Sequence, residues 1–154
     1  SDQMLIAPYK EATGLMVRLV NPRASELIEV EASISLAINQ TDVDTGTVAR
    51  RFFSLDLEIS KIAFFPLSWT LVHAIDEKSP LWGLSEAELL DANAEVMILI
   101  KGTDEATVQN VHARRSFISN EIVWNARFAP IMERSQNLTH TIIHTRKVGD
   151  FEFL

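Results

Sequence analysis

The chain has 154 residues, 47% apolar and 23% charged, which is enough for one domain with its own hydrophobic core and too few for two comfortable ones. It holds no cysteine, which excludes disulfides, thiol nucleophiles and cysteine–zinc sites and fits a cytosolic setting. The formal net charge is −7 without a basic run, so the electrostatic footprint of nucleic-acid binding is missing.

The first expected strand runs from Gly14 to Asn21. The clearest runs from Glu26 to Ile38, where Ile28, Val30, Ala32, Ile34, Leu36 and Ile38 share one face and Leu27, Glu29, Glu31, Ser33, Ser35 and Ala37 the other. Such period-two alternation predicts a half-buried strand. A polar loop, N-Q-T-D-V-D-T-G, follows, and Val48 to Phe53 resumes in extended form. The most apolar stretch, Ile62 to Val72, contains Pro66 and falls short of the about 20 residues a membrane span needs. No secretory signal pattern opens the chain. Another strand is expected at Leu67 to His73.

The stretch H-A-I-D-E-K-S-P-L-W, from His73 to Trp82, then breaks the alternation with acids, a lysine, a serine and a proline. Ser85 and Glu88 form an S-x-x-E capping box that predicts a short helix ending near Ala92 or Asn93. Further strands are expected at Val96 to Lys101, Val108 to Phe117, Glu121 to Phe128 and Leu138 to Arg146. Seven or more short strands with one short helix and no internal repeat or linker predict a single all-β domain over residues 1–154, an immunoglobulin-like β-sandwich.

Catalytic chemistry finds little support. His140 and His144 have the spacing of a helical zinc pair, but L-T-H-T-I-I-H-T reads as a strand. There the two rings would lie roughly 13 Å apart, too far to share a metal. His73 and His112 read as structural or surface histidines. Asp76 and Glu77 are adjacent, so on an extended chain they point opposite ways and do not face one substrate. No nucleophile elbow, phosphate loop, zinc-protease or dinucleotide fingerprint is present. The expectation is a non-enzyme with no metal and no cofactor.

The same stretches resemble a known family. H-A-I-D-E-K-S-P-L-W is similar to the H-x-I-D-E-x-S-P-L/F-Y/W segment in the cytoplasmic domain of inward-rectifier potassium channels. I-K-G-T-D-E-A-T-V-Q-N-V-H-A-R-R-S-F, from Ile100 to Phe117, resembles that family's G-x-x-E-A-T/F…A/C-R-x-S-Y/F segment. N-E-I-V-W-N-A-R-F, from Asn120 to Phe128, resembles D/N-E-I-x-W-G-x-x-F. Upstream, L-M-V-R-L-V-N-P-R-A-S-E-L-I-E-V-E resembles the family's L-x-x-R-x-x-N-x-R…I-E-A strand pair. The resemblance covers nearly the whole chain, in order, and leans toward the bacterial members.

That resemblance implies a homotetrameric ring beneath a membrane pore, extending the potassium pathway and gating it. The two membrane helices and the selectivity filter would lie upstream of Ser1, placing the full-length protein at the cytoplasmic face of the cell membrane and leaving this portion soluble. It further implies that Glu29 is a pore-lining acid, joined by Glu31 two residues on. Magnesium or polyamines are the candidate vestibule ligands. The turn beginning at Gly102 would be the gating loop, lined or approached by Thr107, Val108 and Gln109 and braced by Glu105 with Arg114.

Two departures stand out: Lys101 and Lys61 fall where strongly rectifying members carry further pore acids, so strong rectification is not expected. Lys10 and Arg18 make no lipid-binding cluster. The rival reading is a stand-alone β-sandwich binding module without ion conduction, in which Glu29 is merely solvated.

Overall fold

The computed structural model describes residues 1–136 and 139–154. In chain order the strands are β1 (Met4–Tyr9), β2 (Ala12–Val20), β3 (Leu27–Thr41), β4 (Val48–Leu55), β5 (Lys61–Phe64) and β6 (Ser68–Ile75). After helix α1 (Glu86–Asp91) come β7 (Glu95–Asp104), β8 (Gln109–Ile118), β9 (Ile122–Trp124), β10 (Ala126–Phe128), β11 (Met132–Arg134), β12 (Thr141–Ile143) and β13 (Phe151–Phe153). One sheet has the order β6-β2-β1-β9, and the second the order β4-β3-β7-β8, with β5 also paired to β3. Two small ribbons, β10-β13 and β11-β12, complete the described strands.

The two large sheets close on one core. Met4, Ile6, Leu15, Val17 and Leu71 from the first meet Val30, Ile34, Leu36, Val96 and Phe117 from the second. This is an all-β sandwich held by the apolar faces that alternation creates. Leu89, the buried residue of α1, joins the same cluster. The helix starts as its sequence dictates: Ser85 Oγ accepts from the Glu88 amide, and the Glu88 carboxylate accepts from the Ser85 amide at 2.8 Å. It stops where Asn93 turns left-handed, at φ 47°, and the Ala94 amide reaches back to the Leu89 carbonyl.

Several boundaries differ from the sequence expectation. β3 continues through Thr41, so the polar loop is shorter than expected. The expected strand Glu121–Phe128 divides into a 3-10 turn at Ser119–Glu121, then β9 and β10, parted at Asn125, whose φ of 53° cannot continue a strand. Leu138 lies outside the described residues. Of the rest of that expected strand only Thr141–Ile143 is extended, and a 3-10 turn at Thr145–Lys147 follows. β1 was hidden from periodicity because it is central, between β2 and β9, and Met4 to Ala7 are buried in succession.

The stretch from His73 to Trp82 is a turn built around a buried histidine. His73 Nδ1 lies 2.7 Å from the Asp56 carbonyl, which only accepts, so this nitrogen carries the proton. Ser79 Oγ accepts from the Leu81 amide and lies within hydrogen-bond distance of His73 Nε2, at 2.8 Å. Asp76 caps the same turn through the Lys78 amide. The imidazole serves as a keystone of the turn.

Candidate functional site

β3 carries the first expected site residues, and it is not a regular strand where they sit. Leu27 pairs with Asp104 and Ile28 with Thr103 on β7, but the next pair is Glu31 with Lys101. Two residues of β3, Glu29 and Val30, therefore face one residue of β7, Gly102. This is a β-bulge, and Glu29 adopts φ 49°, in the left-handed region. The extra residue shifts the phase of the strand. Leu27 packs on the core, whereas Ile28 pairs with Phe64, which is 71% exposed. The expectation that Ile28 shares the core face with Val30 is corrected here: the core face runs from Val30 to Ile38, with Ile28 out of phase. Glu29 and Glu31 are both exposed.

Below the bulge a row of directly paired residues crosses the outer face of the sheet: Lys61 on β5, Glu31 on β3, Lys101 on β7 and His112 on β8. Lys61 Nζ lies 3.7 Å from Glu31 Oε1. Direct cross-strand opposition of unlike charges is favourable, and Glu31 has a lysine at the paired position on each neighbouring strand, of which Lys61 forms the ion pair. Sequence reasoning named both lysines as departures without placing them beside Glu31.

The loop between β7 and β8 comprises residues 105–108, because Asp104 still pairs with Gln109. The expected turn at Gly102 is thus corrected: Gly102 lies within β7, paired with Val111, and the turn follows Asp104. Gln109 is the first residue of β8, and Thr107 and Gln109 are exposed. Val108 closes the turn at φ 53° with its side chain 80% exposed, an unusual conformation for a β-branched residue.

The acid that fixes this turn is Asp104, which sequence reasoning passed over. Its carboxylate accepts from Ser25 Oγ at 2.6 Å and from the Thr107 amide at 3.1 Å, and its carbonyl accepts from the Val108 amide. The Ser25 hydroxyl first, and the Thr107 amide second, hold its pKa below the ordinary carboxylate value. Glu105 is anchored by its own amide on the Glu26 carbonyl. An intrachain pair of Glu105 with Arg114 is not formed. Arg114 stands opposite Leu99, five residues along β8 from Gln109, or roughly 17 Å from the turn at about 3.3 Å per residue. Among the described residues neither side chain has an ionic or hydrogen-bonding partner.

Arg18 in β2 is a different kind of cation. It is buried, and its guanidinium donates to the carbonyls of Ala129, Lys147, Val148 and Asp150 while stacking 4.6 Å from the Phe128 ring. Burial lowers its pKa. It is a clasp for the C-terminal segment.

No helix among the described residues is long and apolar enough to cross a membrane. Taken together, fold and site define an all-β sandwich with an exposed acid at a bulge, beside a short carboxylate-fixed hairpin loop. The model of the inward rectifier potassium channel C-terminal domain matches residues 1–151, and the chain belongs to that family. It is 36% identical over 131 residues to the inward rectifier potassium channel Kirbac3.1 of Paramagnetospirillum magnetotacticum, covering 85% of this chain and 44% of that protein. It is 31% identical over 135 residues to the ATP-sensitive inward rectifier potassium channel 12 of Mus musculus and to the inward rectifier potassium channel 18 of Homo sapiens. Each match covers 80% of this chain, and 30% and 29% of the respective relative. The chain spans less than half the length of these relatives.

Proposed function

We propose that this domain is the cytoplasmic module of a potassium channel, working as four copies around a common axis to extend the ion pathway and gate it. The observation that carries the reading is the family match along nearly the entire chain, joined to an exposed face that presents Glu29 and Glu31 next to the β7–β8 loop. Four such faces around an axis would set carboxylates along a vestibule, and clustered acids raise the local cation concentration. Thr107, Val108 and Gln109 would meet their symmetry mates at the vestibule's membrane end, where an apolar ring of Val108 side chains gates by dewetting. Since Glu105 and Arg114 are far apart in one chain, any brace between them joins neighbouring subunits. The membrane pore and its filter belong to segments outside this chain.

Charge balance tunes the vestibule. Lys61 and Lys101 both flank Glu31, leaving Glu29 as the acid with no basic cross-strand neighbour. Magnesium and polyamines, being multivalent, gain most from a dense acid ring, so their block in this channel is weak.

The test is a mass measurement in solution. A tetramer, in equilibrium with monomer, is expected, and moderate salt strengthens it, because four chains of −7 bring 4 × −7 = −28 together. A strict monomer at high concentration would favour the stand-alone binding module.

A further inference from the structure

The acid at Glu29 and the glycine at Gly102 were read from the sequence as separate features, one of the vestibule and one of the loop. The structure sets them across from each other. Leu27 and Val30 both pack toward the core, yet they are three residues apart, and strict alternation would send them to opposite faces. The bulge resolves the conflict by adding one residue, Glu29, to β3 only. Bulges of this kind usually place glycine at the left-handed position. Here that position holds a glutamate at φ 49°, and the glycine stands on the facing strand instead. A Cβ on Gly102 would sit 3.2 Å from Val30 Cγ2 and 3.5 Å from the Ile28 carbonyl oxygen, the two sides of the bulge.

We propose that Gly102 is the positioning residue for Glu29: its missing side chain admits the bulge, and the bulge lifts the Glu29 carboxylate off the ladder and holds it toward the outer face. The consequence for ion passage rests on the vestibule reading, but the geometry does not. Because Gly102 lies two residues before Asp104, which fixes the loop, the same stretch of β7 sets both the loop and the acid. A displacement of the hairpin along its own strand reaches Glu29 through the bulge.

The sign of a substitution tests this. At an open strand position, glycine to alanine raises stability, since glycine loses more freedom on folding. Gly102→Ala is expected to lower the melting temperature of this chain, and Gly102→Val to lower it further. In a Val30→Ala background, which removes the 3.2 Å neighbour, Gly102→Ala is expected to raise it. The amide–α-proton coupling of Glu29, which reads its φ of 49°, and its amide chemical shift, both measured by NMR, should move in Gly102→Ala and return in the double variant. Should Gly102→Val fail to fold, Glu29→Gly decides: it satisfies the left-handed backbone and should match or exceed the parent in melting temperature, while Glu29→Ala falls below it. A rise in melting temperature for Gly102→Ala alone, an unmoved Glu29 signal, or equal losses in Glu29→Gly and Glu29→Ala would overturn the proposal. None of these readouts requires assembly, so their failure leaves the vestibule reading untouched, and a monomeric chain leaves the bulge coupling untouched.

Discussion

Replacing Arg18 removes a single side chain that ties four backbone carbonyls of the C-terminal segment to β2. The guanidinium is repaid for its burial by those carbonyls, by the Phe128 ring and, without a direct ion pair, by the charge of Asp150. Hydrogen bonds to a charged group contribute about 1.5–3 kcal/mol each, but four from one fork are not additive and the longest, to Asp150 at 3.3 Å, is weak. Leaving a buried acceptor unpaired costs about 1–3 kcal/mol, less where water reaches it, and Arg18→Ala should cost about 4 kcal/mol. For a domain of this size that lowers the melting temperature by roughly 8–16 °C. Arg18→Lys should recover less than half, since an ammonium cannot reproduce the planar fork. Urea and thermal melts give the magnitude, and hydrogen exchange gives the location. The amides of Ala129 and Asp150, which pair with Asp150 and Lys147 carbonyls, should lose protection before those of β3. Unchanged protection there, with the core weakened instead, would refute the clasp.

The remaining expectations follow from the same geometry. Glu29→Gln should change stability by less than about 0.5 kcal/mol, because an exposed charge contributes little, yet weaken magnesium block in the full-length channel. Lys101→Glu should strengthen that block, and both effects should shrink as salt screens the field. Asp104→Asn should loosen the 105–108 turn in hydrogen exchange, whereas Glu105→Ala and Arg114→Ala should leave the turn in the unassembled chain intact. With its pKa depressed, Asp104 stabilises the fold at pH above its ordinary value of 3.8. That contribution is lost only as pH falls through the lower folded value, so the turn should hold at pH 5 and loosen below about pH 4. A turn that loosens near neutrality would contradict the assignment.

Elements that follow one simple period were legible in the sequence. The alternation from Val30 to Ile38, the capped helix at Ser85 and the β7–β8 hairpin all appear close to where local pattern puts them. Elements whose existence depends on neighbours were not. β1 has no polar side to reveal it, and β11, β12 and β13 are three-residue strands that exist as pairing partners at the surface. Arg18, read in the sequence only as joining no lipid-binding cluster, gave no sign there of its role as a clasp. Its partners lie more than 100 residues away and are backbone atoms, which carry no sequence signature.

Glu29 marks the limit of pattern reasoning most sharply. Alternation placed it outward by assuming an unbroken pleat with Ile28 and Val30 inward, and it is indeed exposed. The pleat is broken at that residue, however, and Ile28 lies on the other side of the break. Had the pleat continued from Leu27, the inward positions would be Leu27, Glu29 and Glu31, and two carboxylates would enter the apolar core. The cost of burying unpaired charge far exceeds that of one left-handed residue, which is of order 1–3 kcal/mol. The strand therefore accepts the bulge. What makes it possible is invisible in β3 itself: it is the absence of a Cβ at Gly102, more than seventy residues downstream. A glycine that reads as loop freedom in one dimension is, in three, room for a neighbouring strand to change phase.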